Sequence, residues 1–108
     1  MANVKLIVMY PRPKDLEVFE NRYQTEHVPM AVEKLAGKVK LVATKVLASP
    51  DGTPPPFYRI AEVHFPSMEA LQACAASTGG KETLGHAAEI SSGGPPVFMV
   101  AEEQIFDF

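Results

Sequence analysis

Two kinds of hydrophobic periodicity alternate along the 108-residue chain, and their order limits the folds that it can adopt. Runs typical of strands occur four times, and amphipathic stretches typical of helices follow the first and the third of them. The order strand, helix, strand, strand, helix, strand predicts a single ferredoxin-like α+β domain over residues 1–108, with a four-stranded antiparallel sheet and helices on one face. The predicted strands are 4–10, 38–48, 57–65 and 97–101, and the main predicted helices are 15–27 and 67–77.

Local signals support these helices. Asp15 and Ser67 stand where an N-cap residue is expected, because their oxygens can accept from the first free backbone N–H groups. Pro29 suits the first turn of a second helical stretch, 28–37. The glycines of "TGG" are predicted to end the helix that begins after Ser67, and 81–90 is predicted to form a short further helix.

The strands are apolar on both sides. In the first strand Leu6 and Val8 point to one side while Ile7 and Met9 point to the other. Helices on one face of the sheet would leave the second apolar face uncovered, and a second copy of the chain is the simplest cover. We therefore predict a homodimer that pairs sheet to sheet. The pattern of residues 57–65 does not settle which face of that strand meets the helices.

The composition excludes several classes of protein. The net charge is −3 and the ten Lys and Arg residues are scattered, which disfavours nucleic acid as a partner. The longest apolar run near the N-terminus, residues 6–10, is too short to span a membrane. Cys74 is the single cysteine and lies in an Ala-rich helical stretch, so we expect a buried, inert thiol and a cytoplasmic protein. Histidine and carboxylate spacings predict no metal site and no cofactor.

One histidine lies on an inward helical stripe. At about 100° per residue, His27 falls on the same side as Phe19 and Tyr23, the side expected to face the sheet. Pro29 disfavours helical geometry at the residue before it, so the helix is expected to end or kink at His27. A helix end would mildly favour a positive charge on the imidazole. His27 is thus predicted to be a titratable group, with a reference pKa of about 6.5, at the rim of an apolar cleft.

Several segments of the chain together resemble a known family. "VKLIVMYPRP" followed by "FENRYQTEHVPMA", the phrase "EVHFPSMEAL" and the closing "SGGPPVFMVAEE" are similar to the EthD-like family of the dimeric α+β barrel superfamily. The most specific feature is the spacing of Tyr23, His27 and Pro29. The resemblance implies a ferredoxin-like monomer that pairs into a closed barrel, with ligands between helices and sheet. Superfamily members include cofactor-independent monooxygenases, lactone isomerases, small decarboxylases and dehydratases, and haem-degrading enzymes.

A candidate site follows from the helical stripe and the resemblance. His27 and Tyr23 are the predicted catalytic residues, and Tyr10, Phe19 and Met30 are predicted to bind a small apolar or aromatic ligand that carries an oxygen function. Two function classes stay open: a cofactor-independent enzyme of the monooxygenase, isomerase or decarboxylase type, and a non-catalytic protein that binds a small hydrophobic metabolite. The plainer alternatives are a histidine that satisfies nearby carbonyls and a core tyrosine with its hydroxyl at the edge.

Four other polar residues have weaker claims. Glu62 and His64 share one face of a strand and are predicted to form a cross-sheet polar pair or part of the dimer interface. Arg59 could bind an anionic group, but an ion pair is the commoner role for a strand arginine. His86 lies in a glycine-flanked segment and is predicted to be a mobile surface residue.

Overall fold

The computed structural model describes residues 3–108. Nine strand and helix segments follow the predicted order, and each main predicted helix is followed by further helical structure. The strands are β1 (Val4–Pro11), β2 (Lys40–Lys45), β3 (Phe57–Phe65) and β4 (Val97–Glu102); the helices are α1 (Leu16–Arg22), a π-helical segment (Tyr23–His27), α2 (Val28–Lys34), α3 (Met68–Ala76) and α4 (Thr78–Ile90).

The four strands form one antiparallel sheet in the order β2-β3-β1-β4, which confirms the predicted ferredoxin-like fold. Leu6 of β1 pairs with Val63 of β3, and Val8 pairs with Ala61. All four side chains are buried in the core beneath the helices. The sequence pattern did not settle which face of β3 meets the helices. In the structure it is the face that carries Ala61 and Val63.

The helix starts follow local capping. The carboxylate of Asp15 accepts from the backbone N–H of Val18 at 3.1 Å, and the hydroxyl of Ser67 accepts from Ala70 N–H at 3.1 Å. Each cap satisfies a backbone donor that the helix itself leaves without a partner. Both predicted N-caps are thus present.

The glycines of "TGG" do not end a helix, as the sequence analysis expected, but lie in the first turn of α4. The hydroxyl of Ser77 accepts from the N–H of Gly80 at 3.0 Å and so caps α4. A Cβ on Gly79 would lie 2.5 Å from the carbonyl oxygen of Lys34, so glycine is what lets α4 approach α2 this closely. The close approach brings α4 against the π-helical segment.

The sheet face opposite the helices carries both apolar and charged side chains. Ile7 of β1 pairs with Met99 of β4, whose side chain is 40% exposed. At one end of this face, Lys5 forms an ion pair with Glu62 and a second one with Glu103 at 3.2 Å. The predicted polar role of Glu62 on this face is therefore confirmed; His64 Nδ1 also lies 3.4 Å from Glu103 Oε1.

No helix within residues 3–108 has the length and apolar character needed to cross a bilayer.

Candidate functional site

The helical chain does not end at His27. Val28 keeps helical backbone angles (φ −60°, ψ −47°), and its N–H donates to the carbonyl of Tyr23, five residues back. Pro29 has no N–H to donate and its ring would crowd the carbonyl four residues earlier in a regular α-helix. The wider π turn over Tyr23–His27 accommodates the proline without breaking the helix. Such turns within α-helices occur frequently at functional sites.

His27 is buried, with 7% of its surface exposed, in a cluster of aromatic rings. Its Nε2 lies 3.1 Å from the hydroxyl oxygen of Tyr10 on β1, which fixes the ring against the sheet. The ring of Tyr23 stacks on that of His27 with centroids 5.8 Å apart. Phe19 in turn stacks on Tyr23 at 5.5 Å. The inward stripe predicted from the sequence thus exists, and Tyr10 rather than Tyr23 supplies the hydrogen bond to the imidazole.

The second ring nitrogen of His27, Nδ1, contacts His86, a residue that the sequence analysis expected on the surface. His86 lies in α4 with its ring nearly parallel to that of His27, 8° between planes, and the two Nδ1 atoms are 2.9 Å apart. Nε2 of His86 lies 3.1 Å from a carboxylate oxygen of Glu26. The prediction of a mobile surface residue is therefore wrong for His86, because α4 starts early enough to carry it onto the π-helical segment.

Burial makes His27 a neutral histidine. Burial, and to a smaller extent the charge of a protonated His86, lower the pKa of the imidazole to about 4. The predicted preference for a positive charge at this position is wrong, since the helix continues and no free helix end faces the ring. Burial also raises the pKa of both the Tyr10 and the Tyr23 phenols, so these hydroxyls stay protonated. Arg22 and then His86 lower the pKa of Glu26, which stays ionised.

An ion pair holds Tyr23 from the other side. The guanidinium of Arg59 donates to both carboxylate oxygens of Glu20, at 3.0 and 2.6 Å, and lies 4.9 Å from the centre of the Tyr23 ring. Arg59 is therefore occupied by an ion pair, the commoner of the two roles considered for it. A bidentate pair of this kind fixes geometry well, so it helps to keep the phenol in place.

A small apolar cavity lies between the helices and the sheet. Its volume is about 30 Å³, room for one or two water molecules but not for an aromatic ring. Tyr23 and His27 contribute to its wall. Tyr10 and Phe19 belong to the aromatic cluster outside the wall, and the half-buried Met30 of α2 does not line the cavity either. The remaining lining residues are aliphatic apart from one hydroxyl: Leu6, Val8, Val28, Ala31, Leu35, Leu41, Ala43, Ala61, Val63, Thr83, Leu84 and Ala87.

The cavity opens towards the edge strand β2. Ala43 of that strand is exposed, and Val28 and Leu84 across from it are half-buried. Among residues 3–108 no hydrogen bond involves the Tyr23 hydroxyl. No fully buried polar side-chain atom in this range lacks a partner, so the hydroxyl keeps a small solvent-accessible surface, although Tyr23 as a whole is 1% exposed.

Within the described residues, no three His, Cys, Asp or Glu side chains converge as metal ligands.

Comparison with known proteins identifies the family. The model of the EthD domain matches residues 12–89. The chain belongs to the EthD family. The match spans the helices that carry the histidine pair as well as β2 and β3.

Similar proteins match nearly the whole chain. An uncharacterized 11.0 kDa protein in the thcB-thcC intergenic region of Rhodococcus erythropolis is 30% identical over 101 residues, which span 94% of this chain and 96% of the relative. The crystal structure of an EthD family protein from Bacillus halodurans superposes with a TM-score of 0.85 at 29% identity, covering 94% of this chain and 99% of that one. A dimeric ferredoxin-like protein from Bacteroides fragilis matches in fold at 14% identity, with a TM-score of 0.63 and coverage of 94% and 96%.

Proposed function

We propose that this EthD protein is a cofactor-independent enzyme that moves a proton on a small apolar or aromatic compound carrying an oxygen function. The observation behind the proposal is a neutral, buried His27 in the wall of an apolar cavity, next to a Tyr23 hydroxyl with no protein partner among the described residues. An apolar cavity with a few converging polar groups and a strongly shifted pKa is typical of a small-molecule site.

In the proposed step, the imidazole of His27 takes a proton from the carbon beside the oxygen function of the substrate, or returns one to it. The Tyr23 hydroxyl, kept protonated by burial, donates a hydrogen bond to the substrate oxygen on which negative charge develops. Isomerisation and decarboxylation need no further reactant, and these are the reactions that the residues fit best. A monooxygenase reaction would in addition consume dioxygen.

The alternative function is non-catalytic binding of a small hydrophobic metabolite. Two observations favour it: both ring nitrogens of His27 already have protein partners, and the cavity wall is almost entirely aliphatic. A histidine satisfied in this way is commonly structural. Binding alone needs the cavity but no proton acceptor.

Closing the mouth of the cavity tests whether a ligand enters there. A panel of small oxygenated aromatic and terpenoid compounds would be screened by ligand-observed NMR. For any compound bound, Ala43→Leu should weaken binding by about tenfold or more, because its side chain fills the entrance at the edge of the sheet. Ala43→Ser is the matched control of nearly unchanged size and should bind as the wild type does. Equal binding by the two variants would place the ligand elsewhere and contradict the proposed site.

We further propose that the chain forms a homodimer through the sheet face opposite the helices, and that it works in the cytoplasm. Support for the dimer comes from the apolar residues that this face exposes. Among them are Val97 and Met99 of β4, on the face opposite the helices, which are 37% and 40% exposed. The Bacteroides fragilis relative in fold is dimeric. Support for the location is the single free thiol, Cys74, which is buried.

A charge on the open face should dissociate the proposed dimer. Met99 lies on that face opposite Ile7, so Met99→Lys would place an ammonium group in an apolar interface and should weaken dimerisation at least 100-fold. Sedimentation velocity over a range of protein concentrations measures the change. Val18→Lys, on α1 at 56% exposure, is the control and should leave the dimer intact. A wild-type protein that is monomeric at micromolar concentration would refute the interface.

A further inference from the structure

Four side chains form an unbroken hydrogen-bonded row from the surface to the core. Glu26 Oε1 lies 3.1 Å from Nε2 of His86, the two Nδ1 atoms of His86 and His27 are 2.9 Å apart, and Nε2 of His27 lies 3.1 Å from the Tyr10 hydroxyl. The row begins at a carboxylate that is 44% exposed and ends at a tyrosine that is fully buried. It uses both nitrogens of both imidazoles.

The chemistry of the outer end fixes every proton in the row. An ionised Glu26 can only accept, so His86 donates to it from Nε2. When His86 carries this one proton only, it accepts at Nδ1, which requires His27 to donate from its own Nδ1. His27 consequently accepts at Nε2, and the Tyr10 hydroxyl donates to it. All three hydrogen bonds therefore point outward, from the core to the surface.

We propose that Glu26, His86, His27 and Tyr10 form a directional proton relay that carries a proton from the cavity to the surface, with His86 and Glu26 as positioning residues. The inference rests on the proposed proton transfer at His27. When Nε2 of His27 takes a proton from a bound compound, in place of its hydrogen bond from Tyr10, the Nδ1 proton of His27 passes to Nδ1 of His86. The compound loses one proton and His86 gains one. His27 is neutral before and after the step.

The relay explains how a histidine that resists a positive charge can still serve as a base. The charge that proton uptake creates does not remain on the buried ring of His27 but appears on His86, against the carboxylate of Glu26. His86 can then pass its Nε2 proton to solvent through Glu26. An imidazole between two partners of this kind is well suited to such transfer, because its two nitrogens can exchange roles.

The charged and titratable groups around the histidine pair come from five elements. They are Arg22 on α1, Glu26 and Tyr23 on the π-helical segment, Glu89 on α4 and Tyr10 on β1, with Arg59 of β3 behind Tyr23. Arg22 binds both Glu26, at 3.1 Å, and Glu89, at 2.5 Å. Glu26 alone of the two carboxylates contacts His86 in the described residues, which makes Glu89 a natural control.

Histidine tautomers report the relay directly and need no ligand. In long-range ¹H–¹⁵N spectra of the wild type at pH 8, His27 should carry its proton on Nδ1 and His86 on Nε2. A His27 with Nε2–H at pH 8 would overturn the relay.

Matched variants separate the relay from a purely structural role. Glu26→Gln removes the acceptor that orients the row, so His86 and His27 should lose their single tautomers at pH 8. Glu89→Gln removes a carboxylate from the same arginine and should change neither ring. His86→Gln should leave His27 without a single tautomer at pH 8; once a substrate is known, it should also reduce turnover by about 10²-fold with little change in KM. Full turnover in His27→Gln would refute the proposed function and the relay together. Loss of turnover in His27→Gln with full turnover in His86→Gln would keep the proposed function and refute the relay.

Discussion

Replacing His27 with glutamine should reduce turnover of a substrate by 10²- to 10⁴-fold, the usual contribution of a general acid or base. Glutamine keeps most of the bulk of the imidazole and can still hydrogen-bond the Tyr10 hydroxyl, but it cannot take up a proton. We therefore expect the affinity for the ligand to stay within a few fold of the wild type. Turnover is measured on a compound found by the binding screen, and affinity on the same compound by calorimetry.

The binding alternative predicts the opposite pattern. In that case His27→Gln should be nearly silent, and removal of apolar surface from the cavity should matter more. Leu84→Ala, which shortens a lining side chain of α4, should then weaken binding by roughly tenfold or more. A variant His27→Gln that turns over substrate at the wild-type rate would contradict the catalytic role of His27, whatever Leu84→Ala does.

The fold could be predicted largely from periodicity. The alternation of strand and helix patterns indicated the order of elements, and the inward stripe through Phe19, Tyr23 and His27 is present in the structure. The inward face of β3 was also readable, since Phe57, Ala61, Val63 and Phe65 share one parity of a strand. The alternation of side chains along β3 therefore predicts which of its faces meets the helices, a point that the sequence analysis left open.

His86 was missed because two glycines were interpreted as a helix end. If the helical pattern is extended from Thr78 through these glycines, Thr83, Ala87 and Ile90 fall on one stripe, and all three are buried. His86 is three residues after Thr83, at the edge of that stripe. The Ser77 cap is the local signal for an earlier start, but the need for small residues beside Lys34 depends on tertiary packing and cannot be seen in sequence alone.

The π-helical segment was beyond sequence-based reasoning for a different reason. Proline at position 29 is compatible with a helix end, a kink or the first turn of a new helix, and local rules do not choose among them. The predicted place of Pro29 in the first turn of a second helix is confirmed by α2. The continuous helix is selected by packing, because Phe19 and Tyr23 before the turn and Ala31 after it are all buried in the same core. The distance between His27 and Tyr10 depends on that choice.

Acidification should destabilise the protein through His27. The pKa of its imidazole is about 4 in the folded protein against a reference of about 6.5 in an unfolded chain. Between these values the unfolded state binds a proton that the folded state does not, so stability falls as the pH drops through this window and the full contribution is present above about pH 6.5. The difference corresponds to about 3 kcal/mol in the free energy of unfolding.

The measurement compares the wild type with His27→Phe, which keeps a buried ring and cannot be protonated. Urea unfolding at pH 7.5 and 4.5, at one fixed protein concentration, gives the free energy of unfolding of both proteins. Carboxylates and the other histidines contribute to the pH dependence of both, so the difference between the two proteins isolates His27. Because the folded protein is already partly protonated at His27 at pH 4.5, the wild type should lose about 2.5 kcal/mol more than the variant. Parallel losses would mean that His27 is protonated as readily in the folded protein as in the unfolded chain, and the proposed neutral base would then be untenable.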